Sequence, residues 1–415
     1  MMVDILDEIS KDLIKYLDRN KISNKTQSFV SGLPGVILLL AYLEIENNDK
    51  KYSSQIDEYL DICLNQLERN SELSLFSGFT GTAWLVRHLI NLKLYDPNSV
   101  ECLIELDSLI VKSSKIHLLN KNYSIMYGLL GTGIYYLEML DSKGNQNQSS
   151  PIDPRIELSK MIDSLETLSY ITMPGMRTWK DRLSMKLKDQ DVIYNLGIPH
   201  GVPGIILFLC KLIEFDINAE KAKKLIMEAS YWLLSKKRNF YDISFYGPFE
   251  GDYDSHLTRL GWSYGDLCVS IALLKASIIL EDELLKTESY KTAMMVTKRD
   301  IINSNIYYEK NTDNIDFGLC KGSMGITIML QQLSRNFSDN EIMRAFNFWL
   351  NTSISKRKDR EWGISGFKSY TTIDYENAEY IDDIGFLDGT SGTALGLLST
   401  LDEKYSGWQR LLMLR

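Results

Sequence analysis

The sequence predicts an all-α protein, an α/α toroid of seven inner and seven outer helices, and three observations carry that prediction. A short phrase, glycine, two residues and usually a second glycine, occurs seven times and each time introduces a long apolar stretch. Segments that are apolar all round alternate with segments that are apolar along one stripe only. A chain of 415 residues ordinarily splits into several domains, and a repeat closed on itself is the arrangement that keeps residues 1–415 in one.

The elements follow in chain order. Met1 to Asn20 alternates charged and apolar residues at helical spacing without an uninterrupted apolar core, so it reads as a helix and not as a signal peptide. The glycine phrases then begin at Gly32, Gly78, Gly128, Gly201, Gly265, Gly322 and Gly389, the fifth lacking its second glycine. Successive intervals of 46, 50, 73, 64, 57 and 67 residues are the length of a helical hairpin with variable loops, as stacked repeats require. Val36–Leu43, Gly204–Leu212 and Ile326–Leu330 are apolar almost throughout and predict enclosed inner helices. In Ala219–Ser235, Leu225, Ala229, Trp232 and Leu233 form a single stripe among lysines and glutamate, which predicts an outer helix. Each phrase then marks the start of an inner helix, and all seven gather at one rim. Glycine there serves a positive φ or a close backbone approach, and a helix start also offers free N–H groups to a ligand. Two stretches, 170–194 and 239–259, lose the helical period and read as non-helical insertions of strands and long loops beside that rim.

Composition narrows the function classes. A net charge of −9 argues against a nucleic-acid partner, whose phosphates demand clustered Lys and Arg. No apolar run reaches membrane-spanning length, so direct membrane insertion is not expected. Five scattered cysteines, Cys63, Cys102, Cys210, Cys268 and Cys320, lie mostly in apolar helical stretches and predict free thiols in a reducing, cytoplasmic setting.

Several phrases together form a recognisable set. Ser31-Gly32-Leu33-Pro34-Gly35, the run from Asn195 to Gly204, Trp262-Ser263-Tyr264-Gly265, Cys320-Lys321-Gly322 and Gly385-Phe386-Leu387-Asp388-Gly389 occur in an order and at intervals that resemble the lanthionine synthetase C-like family. These are the cyclases of lanthipeptide biosynthesis, and the resemblance runs from residue 28 to the C-terminus. It implies the toroid already argued, with a small β-containing insertion. It also implies an activity: addition of Cys thiols across dehydrated Ser and Thr of a precursor peptide, forming thioether rings, with a zinc ion held by two cysteines and a histidine. The implied partners are the dehydrated precursor peptide, a lanthipeptide dehydratase and a transporter, in a complex peripheral to a membrane.

The zinc site is degenerate. Ser263 stands where the family pattern has the first cysteine, and Cys320-Lys321 where it has Cys-His. A serine hydroxyl is a poor ligand beside thiolate, and lysine must shed a proton before it can donate a lone pair, so no metal and no cofactor are expected. Cys268, five residues past Ser263, points elsewhere on helical geometry. An acidic residue that the family carries before the third phrase is replaced by Ser124. The resemblance keeps His200 as the acid that protonates the enolate, with Arg259 and Tyr264 beside it as catalytic candidates. Cys320, Lys321, Ser263 and Ser124 are candidate thiol or peptide contacts, Cys320 beside Lys321 being either an activated nucleophile or a packed, inert thiol. Two functions stay open on this basis. One is a zinc-independent cyclase; the other is a catalytically silent homologue serving as peptide-binding scaffold, chaperone or partner of a biosynthetic complex. A sugar-processing toroid is a third and weaker reading, because Asp266 and Asp388 sit in glycine phrases with nothing to mark them as an acid and base pair.

Overall fold

The computed structural model describes residues 2–20, 27–66, 72–96, 103–141, 150, 152–182, 193–238, 243–251, 257–306, 314–372 and 378–415. Among these, helices of two kinds alternate. α2 (Leu33–Asn47), α4 (Phe79–Asn91), α6 (Leu129–Leu140), α8 (Val202–Glu214), α10 (Asp266–Leu280), α12 (Ser323–Phe337) and α14 (Thr390–Leu401) are buried on nearly every side. α1 (Met2–Arg19), α3 (Ser53–Asn65), α5 (Leu103–Leu119), α7 (Pro154–Leu168), α9 (Ala219–Leu234), α11 (Glu283–Val296) and α13 (Asn340–Ser355) bury one stripe, as Leu6, Ile9, Leu13 and Leu17 of α1 illustrate. The seven-plus-seven pattern read from hydropathy is therefore the pattern of the fold.

The inner ring closes. α2 packs on α4, α4 on α6, α8 on α10, α10 on α12, α12 on α14, and α14 returns to α2. The remaining junction, α6 with α8, is made where Gly133 lies against the ring of Phe208, 2.5 Å from where a Cβ would be. The loops before the helices repeat the closure at the rim: Phe29 N donates to Phe76 O (2.8 Å), Ile125 N to Pro199 O (2.8 Å), Ser263 N to Cys320 O (3.2 Å), Leu319 N to Leu387 O (2.7 Å) and Phe386 N to Phe29 O (2.9 Å).

Each of the seven phrase glycines is the N-cap of an inner helix, with no side-chain cap. Close approach, more than positive φ, is what demands glycine here. A Cβ on Gly392 would lie 1.7 Å from the Phe386 carbonyl oxygen, and only the N-cap of the imperfect fifth phrase, Gly265, has a positive φ, 76°. The free N–H groups expected at these helix starts are in part already used. The amides of Phe79, Leu129, Val202, Ser323 and Thr390 donate back to the carbonyls of Glu72, Asn122, Asn195, Asp316 and Asp383. Outer helices use side chains instead, Asp153, Asp282 and Asp339 accepting first-turn amides.

Among the described residues of the two non-helical stretches, only those of the first form strands. β1 (Tyr170–Met173) and β2 (Met176–Thr178) make an antiparallel hairpin, whereas the described part of 239–259 contributes one bridge, Phe249 with Asn195. Residues 183–192, 239–242 and 252–256 of these stretches lie outside the described residues, as does Cys102. A second hairpin, β3 (Ser369–Thr372) with β4 (Ala378–Ile381), precedes the last phrase and is not anticipated by the sequence reading. The C-terminal 3₁₀ segment Glu403–Leu412 plugs the inner ring: Trp408 packs edge-on to Phe386 at 5.5 Å, and Trp262 Nε1 donates to Leu412 O at 2.9 Å.

Candidate functional site at the loop rim

Four of the rim loops share one device. Asn122, Asn195, Asp316 and Asp383, each six residues before its phrase glycine, use Oδ1 to accept the amide two residues on, at 3.1, 2.7, 2.8 and 2.7 Å. Such a turn fixes the backbone of these four loops, and the loop before α10, which lacks it, is tied to its neighbour by the Ser263 amide on the Cys320 carbonyl at 3.2 Å. This brings His200 at the start of α8, Ser263 and Tyr264 before α10, Cys320 and Lys321 before α12, and Asp388 before α14 to the same rim.

Ser263 and Cys320 form the closed centre of the group. Ser263 Oγ lies 2.8 Å from Cys320 Sγ, and both residues are only 5% exposed. Gly197 holds the pair from above the loop of α8, since a Cβ there would stand 1.7 Å from the Ser263 carbonyl oxygen. Burial pushes the Cys320 thiol up to about 12, with Asp388 adding to the rise and the Lys321 ammonium opposing it. A thiol so far from ionisation at neutral pH is a packed group, and the activated nucleophile considered from the Cys-Lys adjacency does not follow. Cys268 spends its own thiol on the Trp262 carbonyl at 2.9 Å. None of the four cysteines among the described residues is in a disulfide.

Zinc does not fit this donor set. A serine oxygen and a cysteine sulfur bound to one tetrahedral ion stand roughly 3.6 Å apart, so the 2.8 Å contact leaves no place between them. The third ligand position carries the Lys321 ammonium, whose proton is held more firmly than usual by Cys320 first and then by Asp388 and Tyr264. Among the described residues no group of three His, Cys, Asp or Glu gathers that would hold a metal ion.

The half-buried members of the rim are His200, Arg259, Tyr264, Lys321 and Asp388. The imidazole of His200 stacks on Tyr127 (5.9 Å, 21°), and its Nδ1 is buried with no hydrogen-bond partner. Burial lowers the His200 pKa, Asp181 opposes that and Lys321 adds to it, so the ring is neutral at pH 7. Asp181 is itself buried and takes a hydrogen bond from Asn195 Nδ2 at 3.0 Å. Sequence reasoning missed Asp181, which lies in the irregular stretch after β2 and carries no spacing signal. Arg259 is tied into the frame, donating from Nη2 to Asp316 at 2.7 Å and from Nε to the Lys321 carbonyl at 3.0 Å. It therefore fixes the backbone of Lys321. Tyr264 packs edge-on to Phe249 at 6.0 Å. Ser124 is 3% exposed and accepts the Tyr127 amide at 3.0 Å, so it closes the turn under the residue that stacks on His200.

Asp388 stands out. Its Oδ1 is buried without a hydrogen-bond partner, and burial first, then the nearby Asp316, push its carboxyl up to about 7. Asp266 also leaves one oxygen, Oδ2, without a hydrogen bond, but it is fully buried: Oδ1 accepts the amides of Phe245 and Tyr246, both at 2.9 Å, and the Arg299 guanidinium stands 3.8 Å from Oδ2. The two are not equivalent members of a paired-carboxylate site, which removes the sugar-processing reading.

Comparison with known proteins places this geometry. A family model described as lanthionine synthetase C-like protein matches residues 23–413. The nisin biosynthesis protein NisC of Lactococcus lactis subsp. lactis is 24% identical over 405 residues, an alignment that covers 92% of this chain and 88% of that one. A solved structure, nisin cyclase, superposes with a TM-score of 0.69 at 18% identity and covers 99% of this chain and 98% of that chain, which shows a shared fold.

Proposed function

Because the chain belongs to the lanthionine synthetase C-like family, we propose that it binds a dehydrated precursor peptide at the loop rim and promotes thioether ring formation without a resident metal. The observation that carries this reading is the convergence on one rim of His200, with a buried unpartnered Nδ1, and the half-buried Arg259, Tyr264 and Lys321 around a Ser263–Cys320 pair that closes on itself.

The chemistry is feasible without metal activation. An ordinary thiol of pKa about 8.5 is roughly 3% ionised at pH 7, so the deficit in thiolate is about thirtyfold. Holding thiol and alkene together offsets far more than that, since positioned reactants gain up to roughly 10⁵ in effective molarity and beyond. In the second half of the reaction the enolate carbon needs a proton. His200 is the acid for that step: its depressed pKa makes the imidazolium, once formed, a ready donor, and the stack on Tyr127 fixes the ring plane. Tyr264 borders the same space, and Arg259 is a positioning residue for Lys321.

No helix among the described residues is long and apolar enough to cross a membrane. We place the protein in the cytoplasm, beside a dehydratase that supplies its substrate and a transporter that exports the product, because ring closure needs dehydroamino acids already made. The test uses dehydrated precursor incubated with wild type, with His200→Ala and with no protein, unreacted thiols being counted by alkylation and mass. His200→Ala is expected to slow ring formation by roughly two to four powers of ten, the usual worth of a positioned acid, while precursor binding stays nearly unchanged. Equal ring formation in all three samples leaves the scaffold role as the function.

A further inference from the structure

We propose that the Lys321 ammonium is the cation that holds the attacking thiolate and that the Asp388 carboxylate takes the thiol proton, so that this pair does the work for which the site lacks a metal. The inference rests on the cyclase reading above and adds two residues to it.

Four observations bring the pair together. Lys321 sits at the ligand position before α12, and its backbone is clamped by the 3.0 Å bond from Arg259 Nε to its carbonyl oxygen. The loop of Asp388 is pinned to the loop of Lys321: Leu319 N and Cys320 N both donate to Leu387 O, at 2.7 and 3.1 Å, and Gly318 leaves room for Asp388, whose Cα would lie 2.7 Å from a Cβ there. Two buried polar atoms at the rim, Asp388 Oδ1 and His200 Nδ1, lack hydrogen-bond partners. Both belong to half-buried residues of the rim, where the polar groups of an entering peptide can pair with them. Lys321 Nζ makes no hydrogen bond or ion pair to the described residues, so its charge is available to a ligand.

Electrostatics connect the same groups. Lys321 faces Cys320, Asp388, Tyr264 and Arg259, and its charge also reaches His200. Asp388 faces Asp316, Lys321, Asp383 and Arg259, and burial with the Asp316 charge raises its carboxyl to about 7, which suits a base working near neutrality. In the step, the substrate S–H bond breaks and its proton passes to Asp388. The sulfur forms a bond to the β-carbon of the dehydro residue, and the C=C electron pair moves onto the α-carbon and its carbonyl. His200, neutral at rest, takes up a proton from solvent and gives it to the α-carbon, which returns the ring to its neutral form. Asp388 releases the thiol proton to solvent, which restores the site. A lysine is suited to the thiolate because its ammonium is a compact point charge, without the planar fork of arginine.

The test measures ring formation on dehydrated precursor from pH 5.5 to 9 for wild type, Lys321→Gln, Lys321→Arg and Asp388→Asn, with thermal melts to confirm folding. Wild-type kcat/KM is expected to fall on the acid side of a limb near pH 7. Asp388→Asn is expected to lose that limb and roughly a hundredfold or more of the rate at pH 7. Lys321→Gln is expected to lose about ten- to a hundredfold and to move the limb to higher pH, and Lys321→Arg, which keeps the charge, to recover at least about tenfold of this. A second readout needs no turnover. An undehydrated precursor fragment with Cys is expected to bind wild type more tightly as pH rises, the same fragment with Ser is not, and Lys321→Gln abolishes the difference. An unchanged limb in Asp388→Asn, no recovery in Lys321→Arg, or equal binding of the Cys and Ser fragments to wild type overturns the assignment. Wild type no faster than the uncatalysed reaction instead sinks the cyclase reading, and the fragment binding then decides the fate of Lys321 by itself.

Discussion

Changing Ser263 to Cys and Lys321 to His together sets two sulfurs and an imidazole around the start of α12, and this double variant is expected to hold one zinc ion per chain. The geometry is within reach. Ser263 Oγ and Cys320 Sγ are 2.8 Å apart, whereas two sulfurs on a tetrahedral ion stand about 3.8 Å apart, so the pair has to open by about 1 Å. The proton cost is larger and can be worked through. Burial holds the Cys320 thiol at about 12 against its usual 9, which adds about 4 kcal/mol to its ionisation. Against this, structural zinc sites bind with about 10–16 kcal/mol at pH 7, which leaves about 6–12 kcal/mol and a dissociation constant between tens of micromolar and a few nanomolar. Wild type offers one such thiol and an ammonium, so the same cost is not recovered there. Elemental analysis after gel filtration, together with the thiolate-to-metal absorption of the cobalt-substituted protein, measures the outcome. Stoichiometric zinc held by wild type against a chelator refutes the reasoning. So does a double variant that melts like wild type yet holds no metal, because the loops would then not share the geometry argued from Gly197 and the rim hydrogen bonds.

Two further expectations concern the frame that carries the rim. Glu138 in α6 is buried, which alone would raise its carboxyl, but His88 Nδ1 at 2.8 Å and the Arg410 charge win and hold it at about 2, below the ordinary 4.5. A depressed carboxylate contributes stability above pH 4.5 that is lost as pH falls through 2, so Glu138→Gln is expected to cost about 3 kcal/mol at pH 7 and little near pH 2; a pH-independent difference in urea midpoints would contradict this. Arg87 donates to both oxygens of Asp107 at 3.1 and 3.0 Å, with both side chains nearly inaccessible. Arg87→Met strands a buried carboxylate and is expected to cost about 3–5 kcal/mol, most of it recovered when Asp107 is also made apolar; a loss under 1 kcal/mol in the single variant would show that the pair is relaxed by solvent.

The helical layout was legible because its signal is periodic and local. All-round apolar runs and striped runs differ in composition, and a second glycine forced against a carbonyl, as Gly392 is against Phe386, leaves the same mark in five of the seven phrases. The device that aims the rim loops, an Asn or Asp six residues before the glycine, was present in four phrases but is hidden among ordinary polar loop residues. What escaped depends on long-range pairing. Arg259 meets Asp316 across 57 residues, the plug brings Trp408 onto Phe386, and β3 pairs with β4 in a segment too short to show a period of its own. At the site, the motif located His200, Ser263, Cys320 and Lys321, but only the loop packing shows that Ser263 and Cys320 face each other while Asp388 is left with an unpaired oxygen.

The most direct measurement of a metal-free cyclase is the rate of thioether formation on dehydrated precursor before and after the protein is dialysed against a strong chelator, with metal content determined in the same samples. The account predicts a rate well above that of precursor alone, unchanged by the chelator, in protein holding far less than one zinc per chain. A rate that falls to the uncatalysed level on chelation and returns in proportion to added zinc would contradict it.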